Sequence, residues 1–144
     1  MATAASSRTV QCVVVTPERA LLDEPADFVA VPLYDGEIGI LPGRAPLVGR
    51  LGYGELRLRR GTETKRFYID GGFVQVRADV VTVLTARAIA AEAIKGEAAR
   101  EALAAALQPA LTAEAQEAHQ KDQERARAQI RLAEKVRAGA SGGR

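Results

Sequence analysis

The sequence predicts an α+β protein in two parts: an N-terminal antiparallel β-sandwich or barrel, then a C-terminal antiparallel α-helical hairpin. Two observations carry this expectation. From Thr9 to Thr85, β-branched residues are frequent and Gly, Pro or Asp interrupts them every few positions, the pattern of many short strands joined by turns. After Ala86 the chain becomes Ala-rich, with Glu, Gln, Lys and Arg between, all strong helix formers. The boundaries drawn from this shift are 9–86 for the sandwich and 87–138 for the hairpin, with flexible tails at 1–8 and 139–144.

The strands follow in order. TVQCVVV is the first, ended by Thr16-Pro17, because proline cannot donate to a central ladder. DFVAVPL, EIGIL, GELRLRR, KRFYI, FVQVR and VVTVL come next, with turn signals between them. In GELRLRR, Leu56 and Leu58 share one face while Glu55, Arg57 and Arg59 share the other, the period of two that a half-buried sheet requires. Asp35-Gly36 and Asp70-Gly71 suit tight hairpins, where glycine supplies a positive φ. Pro42-Gly43 suits a type II turn. Glu37 to Leu41 is thus a short strand between two turns, with Ile38 and Ile40 on one face and Glu37 on the other.

ARAIAAEAIKGEAAREALAAAL reads as the first helix, ended at Gln108-Pro109. Thr112 can cap a second helix that continues through EAQEAHQKDQERARAQIRLAEKVRA to Gly139. The expected seam sets Ala99, Leu103, Leu107 and Leu111 against Ala115, Ala118, Ala126, Ile130 and Ala133. Burying a Leu or Ile contributes roughly 1.5–3 kcal/mol and an Ala methyl about 0.8 kcal/mol. High helicity with so little apolar burial describes helices that persist while their packing partner changes. The hairpin is therefore expected to be able to open or to leave the sandwich.

Much chemistry is missing. Serine occurs only at Ser6, Ser7 and Ser141, and the single histidine, His119, sits among Gln, Glu and Lys as an expected solvated helix residue. A nucleophile–base pair has little to draw on, and one His with one Cys cannot form a zinc site of usual composition. Cys12, in VQCVVV, is expected to be a buried small hydrophobe. GYGELR begins like a dinucleotide-binding glycine motif but has Arg57 at the last glycine position and opens a strand, so it reads as a turn. Asp23, Asp27, Asp35 and Asp79 could form a carboxylate site only by converging in the fold, and turn roles suit them better.

The 144 residues are 47% hydrophobic but only 4% aromatic, so the core must be built from Val, Leu, Ile and Ala. A net charge of +2 does not demand a nucleic-acid partner. MATAASSRTV lacks the apolar run of a signal peptide and no 18-residue apolar stretch appears, so a cytosolic protein without direct membrane insertion is expected. From Arg125 to Arg137 five basic residues face one acid, Glu134, an asymmetry that suits an acidic partner.

The runs GEIGILPGRAPLVGRLGYGELRL and FYIDGGFVQVRADVVTVLTARA, with the ending RARAQIRLAEKVR, make the chain resemble the epsilon subunit of bacterial F-type ATP synthases from about Val10 to Arg137. The resemblance implies a non-catalytic central-stalk subunit that turns with the gamma subunit and the membrane c-ring, on the cytoplasmic side of the bacterial plasma membrane. It makes Glu37 and Arg44 candidates for a docking rim, with Arg44 standing where many relatives carry His. It further implies a hairpin that extends toward the catalytic beta and alpha subunits and opposes ATP hydrolysis, with Arg125, Arg127, Arg131 and Lys135 as contact candidates. Some relatives bind ATP through an Ile/Leu-Asp-x-x-Arg-Ala motif. Here Lys95 replaces the Asp and Ala98 the Arg, so no bound cofactor and weak or absent ATP binding are expected. The competing readings are a free-standing module whose basic helix contacts nucleic acid, and a carboxylate-based enzyme.

Overall fold

The computed structural model describes residues 8–142, and side chains as far as residue 138; the expected flexible tails lie mostly outside these. The chain divides into two compact units, Met1–Ala88 and Ile89–Arg144. In the first, strands β1 (Val10–Val15), β2 (Ala20–Ala26), β3 (Phe28–Leu33), β4 (Gly36–Ile40), β5 (Leu47–Arg60), β6 (Glu63–Arg77) and β7 (Val80–Leu84) pair in the order β2-β1-β7-β6-β5-β3-β4. Along this order the ladders are antiparallel except β1 with β7, which is parallel. The predicted β-sandwich is therefore present. A short strand β8 (Ala88–Ala90) falls at the boundary of the two units.

The sheet folds over into two layers through its two long central strands. Three of the expected segments lie within only two strands: GELRLRR ends the 14-residue β5, while KRFYI and FVQVR both lie in the 15-residue β6. The first half of β5 and the end of β6 join β7, β1 and β2 in one layer, while the other halves join β3 and β4 in the second. The inner faces meet in a core of Cys12, Val29, Ile40, Leu56, Ile69, Val81 and their neighbours, and the alternation read in GELRLRR holds, with Leu56 and Leu58 buried.

Asp70-Gly71 is accordingly not a hairpin turn. It lies inside β6, where Gly71 and Gly72 take φ of 73° and 111° and bend the strand between layers. A Cβ on Gly72 would lie 1.9 Å from the Leu84 carbonyl oxygen, so only glycine fits. The β6–β7 hairpin turns instead at Ala78-Asp79, both at positive φ (52° and 62°) and closed by the pair Arg77 and Val80. That turn carries no glycine and so gives a weak signal in sequence. Asp35-Gly36 is displaced by one residue: the β3–β4 loop is Tyr34-Asp35, and Gly36 already pairs with Leu33. Pro42-Gly43 turns as expected, with Gly43 at φ 87°. Strand β2 has no strand signal in the sequence, since Pro25, Asp23 and Glu24 argue against one; it is an edge strand, where proline and charge are tolerated and block further pairing.

In the second unit the first helix is shorter than its Ala-rich composition suggests. Ala88–Ala90 is extended, Ala91–Ala93 forms one 3-10 turn, and α1 spans only Gly96–Ala106. Lys95 is extended at φ −92° and ψ 104°, so Gly96 opens the helix rather than interrupting it. Helix α2 (Ala113–Gly142) begins at the Thr112 cap, whose Oγ1 accepts from Ala115 N at 3.0 Å, and runs past Gly139 to Gly142 rather than stopping there.

The seam between the helices is even poorer in leucine than expected. Ala99, Ala106 and Ala126 are buried, but Leu111 is 98% exposed. Leu107 is the C-cap of α1 and Leu111 lies in the connecting turn, so both fall beyond the helical repeat. Ala118 is also exposed. Polar bonds supplement the seam: Gln123 Nε2 donates to the Ala106 carbonyl at 3.0 Å, and Arg100 pairs with Glu134 at 3.4 Å. His119 is half-buried rather than solvated, and its Nδ1 donates to the Gln108 carbonyl at 3.0 Å. Ala128 and Leu132 are buried on the side of α2 opposite Ala126 and Ile130.

Gly72→Ala is expected to destabilise the sandwich by about 3 kcal/mol or more, from overlap and a strained φ. Gly61→Ala, in open space at φ 62°, should cost only about 1–2 kcal/mol. Denaturant titration of both variants checks the difference.

Candidate functional site

The two expected rim residues lie toward opposite ends of β4, Glu37 within it and Arg44 past its end. Glu37 follows the Tyr34-Asp35 turn, and its carboxylate pairs with Arg57 at 3.4 Å on the outer face of the β3–β4 layer. Arg57 also meets Glu55, which binds Arg66 at 2.6 Å, so Glu37 belongs to a self-compensating charge ladder. Arg44 lies beyond β4, just after the Pro42-Gly43 turn, exposed and without an ion pair among the described residues. The fold does not bring the two together.

A feature overlooked in the sequence lies on the outer face of the other layer. Val15 pairs with Leu84, Leu84 with Phe73, and Phe73 with Arg50, one row across four strands. Phe73 is 57% exposed and Leu84 49%, and Val48 nearby is 74% exposed. Arg50 stacks on Tyr34 with its guanidinium 4.6 Å from the ring centre, closing the row with an amphipathic edge. Apolar side chains side by side on a solvent-facing sheet mark a surface built to be covered. The signal was available: in FVQVR the period of two sets Phe73 with Gln75 and Arg77, not with the buried Val74 and Val76.

On α2 the four basic candidates divide. Arg127, Arg131 and Lys135 follow at four-residue spacing and are all exposed, forming one stripe. Arg125 projects to the other side, is half-buried and pairs with Asp122 at 3.1 Å.

No group of three His, Cys, Asp or Glu side chains could hold a metal among the described residues. Asp23 accepts from Gln11, Asp27 from the Gly61 amide and Asp79 from the Gly43 amide, so these acids serve turns and a strand pair rather than a common centre. One depression of about 140 Å³ is lined by Glu24, Leu58, Arg60 and Lys65; small-molecule sites span roughly 300–1,000 Å³. Burial, then the Glu24 and Asp23 carboxylates, pushes the Cys12 thiol up to about 12, which removes it as a nucleophile near neutral pH.

Residues 9–91 match the family model described as ATP synthase, Delta/Epsilon chain, beta-sandwich domain. The ATP synthase epsilon chain of Rhodopirellula baltica is 50% identical over 124 residues, covering 85% of this chain and 97% of that one. The chain belongs to the ATP synthase epsilon chain family. The Bacillus subtilis epsilon chain is 40% identical over 97 residues, with 65% of this chain and 74% of that one covered. The same fold occurs in the Tetrahymena thermophila mitochondrial ATP synthase central stalk/c-ring structure, at TM-score 0.70 and 15% identity over 88% of this chain and 97% of that one. It occurs also in the Euglena gracilis mitochondrial ATP synthase OSCP/F1/c-ring structure, at TM-score 0.68 and 22% identity over 92% and 81%.

An epsilon chain is an accessory subunit of ATP synthase and not a catalytic one, which sets aside the carboxylate enzyme and the free-standing nucleic-acid module. No helix among the described residues is long and apolar enough to cross a membrane.

The inertness of Cys12 has a direct readout. At pH 8 a thiol reagent should label the native chain roughly a thousandfold more slowly than the unfolded chain. Comparable rates would show an open β1–β2 edge.

Proposed function

We propose that the chain links the gamma subunit to the c-ring in the rotating stalk, and that its helical unit opposes ATP hydrolysis by engaging the beta and alpha subunits. The observation that carries the first part is the apolar row of exposed Leu84 and Phe73, continued by half-buried Val15. Burial of apolar area is the main source of stable association, so this face suits a permanent partner, read as gamma. The Arg44 end of the sandwich is read as the side toward the c-ring. Structural neighbours titled as a central stalk/c-ring and an OSCP/F1/c-ring assembly support a place in the stalk, and the assignment of the two faces is read from their chemistry.

The inhibitory part rests on the stripe Arg127, Arg131 and Lys135 and on the alanine seam. The stripe suits acidic loops on beta; the seam gives α1 and α2 little apolar area to lose on separating. Such a subunit would sit peripherally on the cytoplasmic side of the bacterial plasma membrane. Lys95 and Ala98 leave the start of α1 without the acid and guanidinium of the relatives' nucleotide motif, so the hairpin holds no tight ATP site.

The test uses the cognate complex stripped of this subunit. Adding the full chain should lower ATP hydrolysis, and Arg127→Glu/Arg131→Glu/Lys135→Glu should relieve most of that fall while still binding gamma. Phe73→Asp should lose gamma and the fall together. Binding to gamma with no fall in rate would remove the inhibitory role and leave the stalk link. Calorimetric titration with ATP should give no micromolar site; finding one would overturn the last inference.

A further inference from the structure

Helix α1 ends without a cap of its own. No glycine follows it, its last turn carries no basic residue, and Pro109 has no N–H to return to the helix. The Leu107 amide serves the Leu103 and Ala104 carbonyls, and the Gln108 amide serves Ala105. The carbonyls of Ala106 and Gln108 are served from α2: Gln123 Nε2 donates to the first at 3.0 Å and His119 Nδ1 to the second at 3.0 Å. His119 and Gln123 stand four residues apart, hence on one face, and both are half-buried. The pair caps α1 from the neighbouring helix, at the end of the hairpin where the chain turns. Toward the other end Arg100 pairs with Glu134, both about half exposed, a contact that contributes little. His119 is the single histidine, and histidine changes charge between pH 5 and 8. What faces it from the end of α1 and the connecting turn is uncharged, since residues 102–113 contain no ionisable side chain. Glu101 and Arg100 lie more than a turn before the end of α1. On α2, Asp122 stands one turn beyond His119 and holds Arg125 at 3.1 Å.

We propose that His119 is a pH-sensitive clasp of the hairpin: its protonated ring, seated on the carboxyl end of α1, holds α1 and α2 together more tightly at acidic than at alkaline pH. The imidazolium brings a charge-assisted donor to the Gln108 carbonyl and a cation to the negative end of the helix dipole. As pH rises through the histidine range the charge leaves, and only the tautomer with its proton on Nδ1 keeps the bond. Closure is therefore strongest below about pH 6 and weakens above about pH 7. The seam between the helices is built largely of alanine, so a few-fold change at this one contact moves the balance between closed and open. Gln123 does not titrate and holds its part of the cap at every pH. The consequence for ATP hydrolysis rests on the reading that the extended hairpin opposes it; under that reading the opposition grows as pH rises.

The experiment measures amide exchange of the full chain by NMR at about pH 5.5 and about pH 8, as protection factors. A helix of 11 residues is marginal once undocked, so α1 amides exchange when the hairpin opens, while β5 and β6 amides report the sandwich and check folding. Relative to β5 and β6, wild-type α1 should be protected about two- to fivefold more at the acidic pH. His119→Gln keeps a donor but not the change of charge, and should show the same protection at both. His119→Lys, charged throughout, should keep the acidic-pH protection at both. Equal wild-type protection at the two pH values overturns the proposal, as does a pH difference that survives in His119→Gln. The inhibitory reading is tested apart from it, by ATP hydrolysis of the cognate complex at about pH 8, where the wild type should inhibit more than His119→Lys. Equal inhibition, with the exchange result standing, upholds the clasp and overturns the inhibitory reading of the hairpin.

Discussion

The sandwich depends on the close passage of β6 over the end of β7, where the Leu84 carbonyl fills the space a side chain on Gly72 would occupy. At that point the backbone leaves one layer for the other. Because it does so within a single strand, the first layer needs no separate connection to the second, and the Val and Leu side chains of both close over one core. The exposed row of Leu84 and Phe73 sits beside the same crossing. The bend that builds the core therefore also brings the apolar outer face into being.

The two units divide the chemistry between them. The sheet unit is stabilised mainly by fully buried β-branched and aliphatic residues, so its outer surfaces can be specialised without risk to the core. The helical unit reverses this balance. Its closure rests on small side chains and on a few polar bonds, those of His119, Gln123 and Arg100. Breaking them costs little once water replaces the partner. Stable helices with a weakly held seam suit a part that must change neighbours without unfolding.

Sequence pattern located most strands because period-two alternation is a local signal: Leu56 and Leu58 against Arg57 needs no knowledge of the rest of the chain. It failed where a distant partner decided the outcome. Gly71 and Gly72 look like a turn, and only the position of Leu84 shows that they bend a continuous strand. Ala86 to Ile94 has helical composition, yet pairing and a 3-10 turn take most of it. Ala78-Asp79 turns a hairpin with no glycine to announce it. For the candidate surfaces, the basic stripe was legible from spacing alone, although Arg125 proved to project elsewhere. The row of Phe73 and Leu84 emerges only when β6 and β7 are set side by side, and the inward aim of Asp27 and Asp79 depends on turns remote in sequence.

The β5–β6 ladder holds thirteen paired positions without a register shift, spanning both layers from Leu47–Val76 to Arg60–Glu63. A load applied near the Leu47 end is thus carried as shear along a ladder broken only at Gly52 and Gly71, shared among many pairs loaded together. No loop or linker lies in that path to absorb the twist. A sheet unit tied along its length in this way has little room for its two ends to move independently.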